Sequence, residues 1–261
     1  MNSRLAASHS QTLIGPGDPN PVEIVNGDST HPLVLVCEHA GQAIPKALGC
    51  LGLPDAALQA HIAWDIGAEA VSRLVAEQLG ACLVLQRYSR LVIDCNRPPE
   101  SESAIPALSD GVAVPANKTL TKREKQQRIK EIFEPYQQAV SDRIAQPSCQ
   151  VVLSIHSFTR TMAGITRPWD IGFLYRKDLD TSKALATPFV SFIEKDRIGM
   201  NEPYQVDNAS DWFVPEHGEA TGRRHSLIEI CNDCIDTSTG QQKWADWLCL
   251  AIKSTLQKDL T

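Results

Sequence analysis

Four residues of this chain pair metal-ligand or acid–base chemistry with one recurring placement, at or just past the end of an apolar run. His39 follows LVLVCE, Asp65 lies in AWDIGA, His156 follows VVLSI, and Glu229 stands inside SLIEIC. Two imidazoles and a carboxylate can hold a hydrolytic zinc ion with one position open, and a spare glutamate beside them can act as general base. Each residue has an ordinary alternative. A lone strand-end histidine is more often structural, and Asp65, read as a first-turn helix residue, is favoured there by the helix dipole alone. The combination favours chemistry. Ala40 and Gly41 leave room beside His39, Ser157 follows the second histidine, and alternation buries Glu229, an ionised carboxylate that then needs a cationic partner.

Two further clusters suit substrate recognition. In RYSRLVIDCNRPP, Asn96 and Arg97 leave a strand end, where a guanidinium can clamp a carboxylate or simply pair with Asp94 or Glu100. In NEPYQVDNASDWFVPEHGEATG, Tyr204 and His217 lie in an irregular polar stretch, where His217 could bind substrate, move a proton or be a plain loop histidine.

Residues so far apart in sequence need a scaffold that gathers strand ends, as an open α/β sheet does. The apolar runs Leu33–Glu38, Cys82–Gln86, Leu91–Cys95, Val151–Ile155, Ile171–Tyr175 and Ser226–Ile230 read as strands. Helical spacing over Ile62–Leu79, stopped by Gly80, gives a first helix. A Thr121/Glu124 capping box opens another, running to Ile144 with Pro135 as its kink. Helices over Thr181–Glu194 and Gly240–Leu256 complete the order. Pro98–Pro115 is a loop, 1–30 an irregular N-terminal segment, and the stretch up to Arg224 polar loop. The expectation is one three-layer α/β/α domain over residues 1–261 with a mixed, mostly parallel sheet.

Composition narrows the function classes. A net charge of −6 with scattered Lys and Arg argues against a nucleic-acid partner, and the basic stretch TKREKQQRIK reads as a solvated helix face. No apolar run reaches the roughly 18 residues of a membrane span, and the N-terminus has no secretory apolar region, so a cytoplasmic protein is expected. The eight cysteines sit mostly in apolar stretches, as core residues rather than disulfides. Cys231 and Cys234 form a CxxC with no second pair, too little for a structural zinc site.

The ordered set CEHAG, WDIGA, DCNRPP, SIHSF, NEPY, EHG and IEICND resembles the N-formylglutamate amidohydrolase family, from about Leu33 to Leu256. That resemblance implies a phosphorylase/hydrolase-like fold akin to zinc exopeptidases, and hydrolysis of N-formyl-L-glutamate to formate and glutamate in histidine degradation. A broader likeness is to zinc-dependent N-acetylmuramoyl-L-alanine amidases. Carried over by position, His39, Asp65 and His156 look like the zinc ligands and Glu229 like the general base, with Glu38 as another candidate for the carboxylate ligand. His217 joins Glu229 as a catalytic candidate, and Asn96, Arg97, Ser157 and Tyr204 are candidate contacts for a small N-acyl amino acid. Two departures stand out. Gln42 occupies the place of a zinc-carboxypeptidase glutamate, and Cys231 stands where the family commonly has arginine, as in EIRND, which points to a smaller or uncharged substrate. A peptidase or cell-wall amidase, or a non-catalytic binding protein on the same fold, are the competing expectations. Oligomeric state is not legible.

Overall fold

A computed structural model describes residues 12–257. Its centre is a sheet of seven strands: β1 (Val22–Val25), β2 (Leu33–Cys37), β3 (Cys82–Gln86), β4 (Val151–Phe158), β5 (Ile171–Leu174), β6 (Ile198–Met200) and β7 (Arg224–Cys231). Their spatial order is β1-β3-β2-β4-β7-β5-β6. The neighbours β3, β2, β4 and β7 run parallel, β1 is antiparallel to β3, and the parallel pair β5/β6 is antiparallel to β7. The sheet is thus mixed and mostly parallel, as expected.

The continuous apolar runs arise because the central strands are covered on both faces. Leu33, Leu35, Leu83, Leu85, Leu153 and Ile155 face one core, and the alternate residues Val34, Val36, Val84 and Val152 face the other. Helix α1 (Ala68–Leu79) packs on the first face through Val71 and Val75. On the second face lie α2 (Lys122–Arg128) and α3 (Glu134–Ile144), joined by a π-helical turn, Ile129–Phe133, just before Pro135. Proline has no N–H to continue an α-helical ladder, so the irregularity falls where the sequence puts it. The Thr121/Glu124 capping box forms as read. Helices α4 (Leu179–Ala186) and α5 (Ser238–Gln257) return to the first face, where Trp244 and Leu248 are fully buried.

Five expectations are corrected. Leu91–Cys95 is buried but is not a strand. Its carbonyls are satisfied by side chains, Asn117 donating to Leu91, Arg128 to Val92 and Gln137 to Cys95. The position beside β3 is taken instead by β1, from the segment read as irregular. Part of the polar stretch before Arg224 forms β6. Arg128 within TKREKQQRIK is not solvated but fully buried, because it supplies one of those capping bonds. The helix expected over Thr181–Glu194 shortens to α4, and a 3-10 turn containing Pro188 follows.

Candidate active site

The parallel strands end on one edge of the sheet, and the site lies there. His39 sits two residues past β2, and its carbonyl accepts from the Asp65 amide at 3.0 Å, tying the segment before α1 to the strand end. Two glycines permit this join. A Cβ on Gly41 would lie 1.9 Å from the Arg87 carbonyl, and Gly67 combines φ +81° with an approach that would put a Cβ 2.3 Å from the Ile235 oxygen. Asp65 therefore precedes α1 rather than lying in its first turn, and its position is held by these contacts rather than by a helix dipole. His156 lies inside β4, which runs three residues further than expected, and it is in register with Glu229 on β7.

Among the described residues, His39, Asp65 and His156 form the one cluster able to hold a metal ion, and all three are buried. His156 Nδ1 is 3.0 Å from His39 Nδ1 and 2.9 Å from Asp65 Oδ2, and His39 Nδ1 is 3.3 Å from the same oxygen. Ligands spread tetrahedrally around a zinc ion at its usual bond lengths would stand about 3.3 Å apart. The far ring nitrogens meet carboxylates: His39 Nε2 lies 2.7 Å from Asp94 Oδ1, and His156 Nε2 lies 3.1 Å from Glu38 Oε2. A carboxylate behind each imidazole fixes the tautomer that turns the Nδ1 lone pair toward a metal. Glu38 is itself held by the Ser154 hydroxyl at 2.6 Å, so it braces His156 and does not join the triad.

Charge supports the same fit. Burial alone would raise Asp65, Asp94 and Glu38. His39 and His156 at Asp65, Arg90 at Asp94, and His156 at Glu38 outweigh it and hold all three carboxyls below their ordinary range. Burial would depress His156, but its bonds to Asp65 and Glu38 outweigh that and raise it well above an ordinary histidine. Three ionised carboxylates thus face the half-buried guanidinium of Arg90, whose Nη2 donates to Asp94 at 2.6 Å, and Arg97 Nε lies 3.6 Å from the same aspartate. A bound divalent cation would replace the proton that these carboxylates otherwise hold on His156, leaving the imidazoles neutral.

A cavity of about 450 Å³ opens beside the cluster. Glu229, Ser157 and Arg90 line it near the three candidate ligands, and Asn96, Arg97, Tyr204 and Asp211 line its walls. Glu229 is buried, and its Oε2 has no hydrogen-bond partner among the described residues. Burial is the main cause that pushes this carboxyl up to about 7.

Comparison with known proteins agrees with this geometry. Residues 31–235 match the sequence model of the N-formylglutamate amidohydrolase family. The chain belongs to that family. The crystal structure of a gene product from Agrobacterium tumefaciens is similar at 34% identity and a TM-score of 0.90, over 95% of this chain and 100% of that one. An N-formylglutamate amidohydrolase from Ralstonia eutropha shares the fold at 18% identity and a TM-score of 0.64, over 92% of this chain and 97% of that one. No curated protein sequence matches. Family membership supports an amide hydrolase acting on a small molecule, and no helix of the described residues is long and apolar enough to cross a membrane.

Against this family background, the structure sorts the residues singled out in the sequence. His39, Asp65, His156, Glu229 and Ser157 come together, Ser157 donating its amide to Asp65 at 3.1 Å. Arg97 and Tyr204 reach the cavity, but Asn96 is occupied: its amide donates to Asp211 and accepts from the Trp212 and Phe213 amides. His217 does not line the cavity. It is buried with Nε2 2.6 Å from Gln137 Oε1, and burial lowers it to about 4, so it is a neutral packing residue rather than a proton carrier. Cys231 is likewise buried and off the cavity. Two residues escaped the sequence reading. Arg90 bridges Asp94 and Asp65, and His61 lines the cavity with Nδ1 3.8 Å from Asp65. Each lies four residues before the aspartate it meets, a spacing that could have drawn attention to both.

Proposed function

We propose that this chain is a zinc-dependent amidohydrolase that cleaves the amide bond of N-formyl-L-glutamate or a related small N-acyl amino acid. His39, Asp65 and His156 would hold the metal, which when bound supplies an activated water and polarises the acyl carbonyl. Glu229 takes the proton from the attacking water and returns it to the nitrogen of the breaking C–N bond, so that the carboxylic acid and the free amino acid leave. Arg97, at the cavity wall, pairs with the substrate carboxylate. Ser157 and Tyr204 border the bound substrate, and Asn96 keeps the Asp211–Phe213 wall in place.

The observation that carries this reading is the unpartnered Oε2 of Glu229, buried beside three converging ligand atoms and facing a cavity. A buried carboxyl oxygen without a partner is costly to the fold, so its place there is accounted for by chemistry. The test is formate release by zinc-loaded protein from N-formyl-L-glutamate and other N-formyl amino acids. Release that chelation abolishes and zinc restores supports the reading, and no release from a folded, metal-bound protein overturns it.

A further inference from the structure

The cations around the cavity are already committed, and what remains bears on which amino acid fits. Arg90 is spent on Asp94 and Asp65. Arg167 lies behind the wall, donating to the Thr159 carbonyl and to its hydroxyl at 2.7 Å, and to the Tyr204 hydroxyl at 2.8 Å. It also packs over the Phe158 and Tyr204 rings, which fixes the Tyr204 ring as a wall. Arg97 donates through Nη1 to the Ser210 carbonyl, and its Nε is 3.6 Å from Asp94. Its Nη2 is, among the described residues that line the cavity, the guanidinium edge left for a ligand. That edge matches one carboxylate, the α-carboxylate that every N-acyl amino acid carries.

The rest of the lining holds acidic groups, neutral polar side chains and an apolar stretch, with no further guanidinium or ammonium left unpaired among the described residues that line it. Asp110, Asp211 and Glu229 line the cavity, neutral polar groups such as His61, Ser109 and Gln205 lie on its rim, and Ile62, Met162, Leu174, Val206 and Leu227 form its apolar part with the Tyr204 ring. Leu227 and Leu174 are a cross-strand pair on β7 and β5. Leu227 shares a strand face with Glu229, so the floor next to the catalytic carboxylate is hydrocarbon. A second carboxylate on the substrate would enter this floor without a cation and among three acidic groups, whereas an aliphatic chain would displace water from it.

Resting on the amidohydrolase reading above, we infer that the cavity selects N-acyl amino acids with a neutral, apolar side chain of leucine or methionine size, and discriminates against the glutamate derivative. The experiment measures binding apart from turnover. Zinc-loaded Glu229→Gln protein is titrated calorimetrically with N-formyl-L-leucine, N-formyl-L-methionine and N-formyl-L-glutamate, and the wild type is assayed for formate release from the same three. The leucine and methionine compounds should bind at least about tenfold tighter than the glutamate compound, with the same order in kcat/KM. Val206→Arg, on a half-buried loop position, should narrow or reverse that ratio by supplying the missing cation. Tighter binding of the glutamate compound with Val206 in place, or a higher wild-type kcat/KM for it, would overturn the inference and leave the hydrolase reading standing. Binding in the expected order with no turnover by wild type would overturn the hydrolase reading alone, and absence of binding by all three would overturn both.

Discussion

The His39–Asp65–His156 cluster, which could hold a metal ion, and the cavity wall beside it are built on different principles. The cluster hangs from strand ends and from one segment pinned between β2 and α1, and its ring nitrogens and carboxylates are bound to one another and to Ser154, Arg90 and the Ser157 amide. The wall comes mainly from loops, where Tyr204, Val206 and Ser210 are partly exposed and side chains can change without disturbing the sheet. In a buried, low-dielectric network, removing one member leaves its partners uncompensated. The candidate ligands are thus fixed by the sheet and the segment pinned to it, while the cavity beside them combines a strand floor, Leu174 and Leu227, with a loop wall.

The sharpest way to break this contrast is to remove a ligand. His156→Ala should lower hydrolysis by at least about a thousandfold and leave the purified protein with little bound zinc, read by metal analysis. Retention of stoichiometric zinc in that variant would refute the ligand set. Glu229→Gln should lower kcat by about a hundred- to ten-thousandfold while zinc stays bound, because the acid–base step is lost and the ligands are not. Full activity in a zinc-bound Glu229→Gln protein would remove the general base from the proposal.

The acid–base step also sets the pH dependence. Burial raises the Glu229 carboxyl to about 7, and a general base works only when ionised. The rate therefore rises with pH and levels off above the carboxyl's pKa. A bound cation stabilises the ionised form, so the midpoint should fall at or below about 7. A kcat/KM profile flat from about pH 5 to 8 would contradict this.

How much of this was legible follows the same division. The two-sided burial of β2, β3 and β4 wrote itself into continuous apolar runs, and the ligands at their ends could be found from those runs. β1 and β6 were hidden because they are edge strands of only four and three residues, VEIV and IGM, too short to set up a period against the polar stretches around them. Leu91–Cys95 misled in the opposite sense: its residues are as apolar as a strand, but its carbonyls are met by Asn117, Arg128 and Gln137, contacts no local pattern announces. Glu38 and His39, adjacent at a strand end, both point into the site because the chain leaves the sheet after Cys37, so strand alternation did not apply to them.

The braces behind the ligands give an intermediate effect. Glu38→Gln keeps the shape but removes the charge facing His156 Nε2, and should weaken zinc affinity by about ten- to a hundredfold. Competition titration with a chelator measures it, and an unchanged affinity would make Glu38 a packing residue. The smallest effect belongs to the wall. Tyr204→Phe removes the hydroxyl that accepts from Arg167 at 2.8 Å but keeps the ring. Arg167 retains the Thr159 carbonyl and hydroxyl, and the ring still covers the guanidinium. Zinc affinity and kcat should therefore stay within about twofold of wild type, while KM rises a few-fold as the wall loosens. A large fall in kcat would instead place the Tyr204 hydroxyl at the reacting atoms and move the boundary between chemistry and specificity out into the loop.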